Sequence, residues 1–190
     1  MNFYHKPENV QQYRSMMADY DNSTVLHMVR EVLPFGSSLL ELGMGTGLDL
    51  LDLSQNYQVI GSDFSPVFVS DFRREHPEIP VYELNAVDFS LNKKFDCIYS
   101  NKVLYHLSAV DFQKSLQIQA EHLSENGIIF LTLWLGEFRE EVYEEDLRFT
   151  YYTEKDIENL LPQNLQIEKM TRYAEMEADD SVAVVLRRTR

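Results

Sequence analysis

Residues 37–63 constrain the fold more than any other part of the chain. A short apolar run, SSLLELG (37–43), enters a turn with glycine at 43, 45 and 47. A stretch with Leu48, Leu50, Leu51 and Leu53 at helical spacing follows, and a second apolar run, QVIGSDFS (58–65), ends in an acid. Two parallel strands need a crossover long enough to hold a helix, so strand, glycine turn, helix, strand is the unit of a parallel sheet. Further apolar runs follow at 81–86 (VYELNA), 95–101 (FDCIYSN) and 127–136 (GIIFLTLWLG). Two last runs, Leu165–Met176 and Ser181–Leu186, are separated by EADD and read as an antiparallel hairpin. The expectation is an α/β protein with a mostly parallel sheet, helices on both faces and a C-terminal antiparallel hairpin.

The helices between these runs carry their own boundary signals. Pro7 suits a first helical turn, and Val10, Tyr13, Met17 and Tyr20 share a face across 7–20. Asp21, Asn22 or Ser23 caps a second helix with Val25, Leu26, Val29, Val32 and Leu33 at helical spacing, ended by Pro34-Phe35-Gly36. Ser65-Pro66 opens a helix to about Glu75. Ser108 with Asp111 opens another, with Phe112, Leu116 and Leu123 on its face before a turn at SENG (124–127). Thr153 with Asp156 opens the last, which Pro162 closes. No linker interrupts this, so one domain is expected: residues 1–36 as a helical lid carrying Tyr4, Tyr13 and Tyr20, and 37–190 as the body.

Charge narrows the partners. Asp and Glu number 31 against 17 Lys and Arg, a net charge of −14 over 190 residues. Nucleic-acid binding rests on neutralising phosphates, and acidic lipid surfaces attract basic segments, so both are disfavoured. RRTR (187–190) is the one basic cluster and reads as a solvated end. The single cysteine, Cys97, cannot form an internal disulfide and falls in a predicted strand. It reads as core in a reducing, cytoplasmic setting. The N-terminus lacks an apolar signal core, and the run IIFLTLWL (128–135) is too short to span a bilayer.

In a parallel sheet, ligands sit beyond the carboxyl ends of the strands, near the switch in strand order. Glycines in the first turn let a ligand approach the backbone closely. The dinucleotide pattern G-x-G-x-x-G fails here, because Leu48 stands where its last glycine belongs. Asp63, twenty positions after Gly43, is placed to accept from a ribose diol. Glu41 adds a carboxylate beside the turn, awkward for a phosphate and suited to a cation.

The segments ELGMGTG (41–47), GSDFS (61–65), LNAVDF (84–89) and FDCIYSNKVLYHL (95–107) together resemble the class I S-adenosylmethionine-dependent methyltransferase family, in order from about residue 37 to 136. RFTYYTEKDIENLL (148–161) resembles small bacterial members. The resemblance implies a Rossmann-like, mostly parallel seven-stranded sheet and S-adenosylmethionine as cofactor, with S-adenosylhomocysteine as product. It implies that Gly43, Gly45 and Gly47 line the methionine and ribose part, with Glu41 near the amino group. Asp63 would hold the ribose hydroxyls and Phe64 lie beside the adenine. Asn85, Ala86 and Val87 would meet the adenine edge, with Asn85 where many relatives have aspartate. Ser100 and Asn101 would sit beneath the methionine end.

A sulfonium already activates its methyl group, so positioning and water exclusion carry much of the catalysis. An acceptor hydroxyl or ammonium needs a base, and His106, next to Tyr105 after the fourth strand, is the candidate. Trp134, with Tyr13 and Tyr20, is a candidate wall for a substrate. The segment EFREEVYEED (137–146) holds six acids, which would repel across a helical turn at Glu140/Glu144 and Glu141/Glu145. It reads as a loop or solvated surface, or as a rim favouring cationic substrates. The place after the fourth strand reads SNKV without the proline of amino-methylating nucleic-acid enzymes, and Cys97 follows Asp96 rather than the proline of cytosine-carbon enzymes. No metal site is expected. The leading expectation is methyl transfer to a small molecule, an amine or a hydroxyl. A nicotinamide oxidoreductase and a non-catalytic cofactor-binding protein stand as alternatives.

Overall fold

A computed structural model describes residues 3–18, 20–143 and 147–189. Helix α1 (Pro7–Met16) follows a 3-10 turn at Phe3–His5 and precedes α2 (Ser23–Val32). Then come β1 (Ser38–Leu42), α3 (Leu48–Ser54), β2 (Gln58–Asp63), α4 (Pro66–Glu75), β3 (Val81–Glu83) and β4 (Phe95–Asn101). A 3-10 turn at Leu104–His106 leads to α5 (Ala109–Glu121), β5 (Leu123–Trp134), β6 (Arg139–Val142), β7 (Arg148–Tyr151), α6 (Glu154–Leu160), β8 (Leu165–Tyr173) and β9 (Ser181–Arg188). Seven strands form one sheet in the order β3-β2-β1-β4-β5-β9-β8. The first five are parallel, and β9 runs antiparallel to both its neighbours. Strand order reverses between β1 and β4, the position at which such sheets bind ligands.

The helix boundaries obey the local signals. Ser65 accepts from the Phe68 amide with proline at the first helical position, and Ser108 accepts from the Asp111 amide. Thr153 and Asp156 form a reciprocal capping box. Asn22 occupies the cap of α2 but sends its side chain to Asp49 and Asp52 instead.

Alternation along the strands divides the core. On one face Ile98, Ile129 and Leu131 pack with Phe112 and Leu116 of α5. On the other, Cys97, Tyr99 and Phe130 pack with Val25, Leu26 and Val29 of α2. Cys97 is fully buried and its thiol is pushed up by burial, so it is core. Helix α2 is sealed into this layer, and the segment before it carries Tyr13 and Tyr20.

Three expectations change. Leu123 begins β5 rather than closing α5. SENG is a bulge inside β5: pairing passes from Phe95↔Leu123 to Cys97↔Ile128, two steps on β4 against five on β5, so three residues loop out. The segment expected as a loop contains β6, which pairs with β7 in a second, two-stranded sheet. There Glu141 bonds Arg139 and Glu140 bonds Arg148, which neutralises the repulsion a helix would create. Glu144 and Glu145 lie outside the described residues.

Candidate active site

The glycine turn connects β1 to α3 with all three glycines left-handed, at φ 74°, 52° and 82°. At Gly43 a Cβ would stand 2.5 Å from a Val103 methyl, and at Gly47 2.1 Å from the Phe72 ring. Gly43 and Gly45 line a cavity of about 1150 Å³ beyond the strand ends. Gly47 does not line it. The turn needs Gly47 for its backbone and to admit Phe72.

Three carboxylates meet at this turn. Glu41 is 2% exposed, and its Oε2 has no hydrogen-bond partner. Burial, then the charges of Asp49 and Asp63, hold its carboxyl well above the usual range. Asp63 accepts from the Gly45 amide at 2.9 Å and the Ser65 amide at 2.8 Å. Burial still outweighs these bonds and raises it to about 6. Each Asp63 oxygen keeps acceptor capacity for a diol. Asp49, absent from the sequence reading, accepts from Tyr99 at 2.6 Å, Asn22 at 2.8 Å and Asn101 at 3.0 Å. Its signal was an acid four residues before Leu53 on the buried face of a leucine-rich helix. A buried carboxylate without a partner is costly, and a cationic ligand would relieve it.

Around the cavity, Phe64, Asn85, Ala86 and Val87 form one end. Asn85 Oδ1 accepts from the Val87 amide at 3.1 Å, so Asn85 shapes its own turn and retains one acceptor lone pair. Asn101 lines the cavity, donates to Asp49 and Tyr20, and accepts from Thr132. Ser100 is buried on the opposite face of β4 and does not line the cavity, because neighbouring strand residues alternate.

Much of the remaining lining is aromatic. Tyr4, Tyr13, Tyr105, Trp134 and Phe149 belong to it, and Tyr20 reaches in from the segment after α1. Tyr13 packs on Phe68 and its ring edge is 3.4 Å from where a Gly45 Cβ would be. His106 Nδ1 lies 2.7 Å from the Arg148 carbonyl. A carbonyl only accepts, so Nδ1 carries the proton and Nε2 is the ring's acceptor. Burial lowers His106 to about 4, and it is neutral at pH 7. Trp134 lies under the Lys102 ammonium, 3.3 Å from its ring centroid. Tyr4 lines the cavity with the other two tyrosines of the expected lid, whereas Lys102 and the RFTYY residues Arg148 and Phe149 were not foreseen as lining.

The sequence matches a model described as a methyltransferase domain over residues 39–127. A dTDP-3-amino-3,4,6-trideoxy-alpha-D-glucopyranose N,N-dimethyltransferase from Streptomyces venezuelae is 26% identical over 115 residues, 59% of this chain and 48% of that protein. The chain thus spans about half the length of the curated relatives it matches. A Burkholderia thailandensis 1,6-didemethyltoxoflavin-N1-methyltransferase, solved with 1,6-didemethyltoxoflavin and S-adenosylhomocysteine, aligns over 95% of this chain and 84% of its own. Its TM-score is 0.79 at 15% identity. A sugar N-methyltransferase from a Streptoalloteichus species aligns over 94% and 93%, with TM-score 0.75 at 18% identity. The match to the methyltransferase-domain model supports the sequence reading over residues 39–127, and the solved structures share the fold.

Proposed function

We propose that this chain binds S-adenosylmethionine at the glycine turn and methylates a small-molecule amine. The observation that carries the reading is the Glu41 carboxylate, buried with an unpartnered oxygen beside Asp49 and Asp63, at the glycine turn that lines the cavity. An ammonium beside a sulfonium suits that wall, and a pyrophosphate would be repelled by it. Bound there, the cofactor would supply a methyl group on sulfonium, an electrophile that an amine lone pair would attack in line as the C–S bond breaks and the thioether leaves, the methylated ammonium then giving its proton to solvent.

The chain's own residues would do the rest. Glu41 and Asp49 hold the ammonium, Asp63 takes the ribose hydroxyls, and Phe64 with residues 85–87 borders the adenine. Tyr4 and Tyr13 cover the reacting region and exclude water, their hydroxyls kept protonated by burial. His106 Nε2 accepts an N–H of the neutral acceptor and aims its lone pair. With a pKa near 4 it is too weak to strip an ammonium, so an amine that has already lost its proton to solvent fits better than a hydroxyl. The relatives with N-methyltransferase names support the amine. We further infer a protein without nucleic-acid partners that works in the cytoplasm. Its acidity and reduced cysteine support this, and among the described residues no helix is long and apolar enough to cross a membrane.

Thermal unfolding with S-adenosylmethionine, S-adenosylhomocysteine, NAD and NADP tests the cofactor. A ligand at a hundred times its Kd adds about 2.7 kcal/mol. Stabilisation by the two adenosyl amino acids alone is expected, followed by methyl turnover in an amine screen. Stabilisation by a dinucleotide alone would overturn the reading. Binding without turnover on any amine would turn it to a non-catalytic cofactor-binding protein.

A further inference from the structure

Lys102 follows Asn101 where strand order reverses, and its backbone is left-handed at φ 53°, a conformation most side chains avoid. Such an outlier persists only where its surroundings hold it. Here its amide donates to Thr132 Oγ1 at 2.9 Å, and Thr132 donates to Asn101 at 2.6 Å. The side chain crosses Trp134 and donates to Ser181 Oγ at 2.6 Å and the Leu133 carbonyl at 3.5 Å. Burial lowers Lys102 to about 7, while Glu175 and Asp180 favour its charge, and among the described residues no carboxylate lies within ion-pair distance of its Nζ. Asp180 is already taken by the amides of Glu175, Met176 and Glu177.

A second donor stands beside it. The Tyr173 ring is 5.6 Å from Lys102 Nζ, and Tyr173 is 8% exposed. Its hydroxyl is buried without a hydrogen-bond partner, with Glu175 and Thr132 nearby but outside bonding geometry. Lys102 and Tyr173 both line the cavity. An amine without a carboxylate partner, just past the end of β4, and a phenol without a hydrogen-bond partner at the end of β8 make an anion seat, with Glu175 the acid close to both.

We propose that Lys102 and Tyr173 receive the carboxylate at the methionine end of the cofactor, an assignment that rests on the S-adenosylmethionine reading above. That carboxylate shares a carbon with the ammonium. Glu41 and Asp49 attract the ammonium and repel the carboxylate, so the two groups need different walls close together. Asn101 joins those walls: its amide donates to Asp49, and the next residue is Lys102. Arg148, the other arginine or lysine lining the cavity among the described residues, is bonded to Glu140 and lies beside His106.

Calorimetric titration with S-adenosylhomocysteine and with the same thioether lacking its carboxylate tests this. The unmodified protein should prefer the carboxylate-bearing ligand by roughly 10- to 100-fold. Lys102→Met should erase most of that preference by weakening S-adenosylhomocysteine alone. Lys102→Gly, which relieves the backbone, should do the same, Lys102→Arg should keep the preference, and Tyr173→Phe should reduce it a few-fold. Equal weakening of both ligands in Lys102→Met would make Lys102 a mere support and overturn the proposal. A preference that survives Lys102→Met would also overturn it, leaving any carboxylate bound at Lys102 to come from the acceptor. Equal binding of both ligands to the unmodified protein would overturn this assignment alone, whereas binding of neither would overturn it together with the methyltransferase reading.

Discussion

At the glycine turn the cavity wall is made of backbone and carboxylates, nearly all from residues 41–63. The rest is made of aromatic rings from Tyr4, Tyr13, Tyr105, Trp134 and Phe149, which come from five separate stretches of chain, with Tyr13 reaching Gly45 itself. The first wall recognises charge and hydroxyl geometry, and its shape is fixed by left-handed glycines. The second recognises little beyond apolar area and one histidine acceptor. A fixed half and an adaptable half suit a constant cofactor and a variable acceptor, and each prediction below treats the halves as separable.

The largest effect is expected within the turn. Gly47→Ala meets both a left-handed backbone and the Phe72 ring at 2.1 Å, and should lose about 3 kcal/mol of unfolding free energy. Gly45→Ala, whose Cβ would make only ordinary contact with Tyr13 at 3.4 Å, should lose about 1 kcal/mol in the same urea titration. Equal losses would deny that the third glycine serves packing. Next, Asp63→Ala should weaken S-adenosylhomocysteine by roughly 100-fold in calorimetry, the worth of two hydrogen bonds to a charged group. A Kd within threefold of the unmodified protein would remove Asp63 from the cofactor.

The halves also oppose each other in pH. Asp63 is raised to about 6, so the folded state holds a proton that the unfolded state has lost, and its contribution to stability falls as pH rises from about 4 to 6. His106 is lowered to about 4, so the unfolded state is the protonated one, and its contribution rises from pH 4 to about 6.5. Asp63→Asn should make stability climb more steeply with pH across this window, and His106→Gln should make it climb less or fall. Each tilt is on the order of 2 kcal/mol. Tilts of the same sign, followed by urea unfolding at several pH values, would show that one of the two environments is misread. The smallest effect separates binding from turnover: His106→Gln should lower kcat about tenfold, at the low end for an acid–base residue, with the S-adenosylhomocysteine Kd unchanged.

The fixed half was legible in the sequence because it is local. Gly43, Gly45, Glu41 and Asp63 lie within two strands and a turn, and their spacing alone brings them together. The exceptions have physical reasons. Gly47 carries the same turn pattern but faces Phe72, a partner that no spacing announces. Ser100 follows the strand's alternation onto the wrong face. Asp49 hid among leucines, because an acid on a helical stretch reads as solvated until a tyrosine and two asparagines are seen to bond it. The adaptable half was mostly illegible. His106, Tyr105 and Trp134 were found at strand ends, but Phe149 and Arg148 reach the cavity on β7, a strand whose partner β6 is rich in acids and lacks apolar alternation. The strands and the closing hairpin followed the periodicity, while the β5 bulge arose from the turn residues of SENG lying inside a pairing strand.

The position of β9 has a consequence for how the molecule is made. It lies between β5 and β8, bonding Ile128–Trp134 on one side and Leu165–Tyr173 on the other. During synthesis the run IIFLTLW therefore emerges some fifty residues before the strand that covers its edge. For that interval a nascent chain exposes an unpaired apolar edge, the kind that templates association with other chains. A pause in translation before residue 181 would prolong the exposure, and chaperone demand would peak there, after the glycine turn and its acids have already been synthesised.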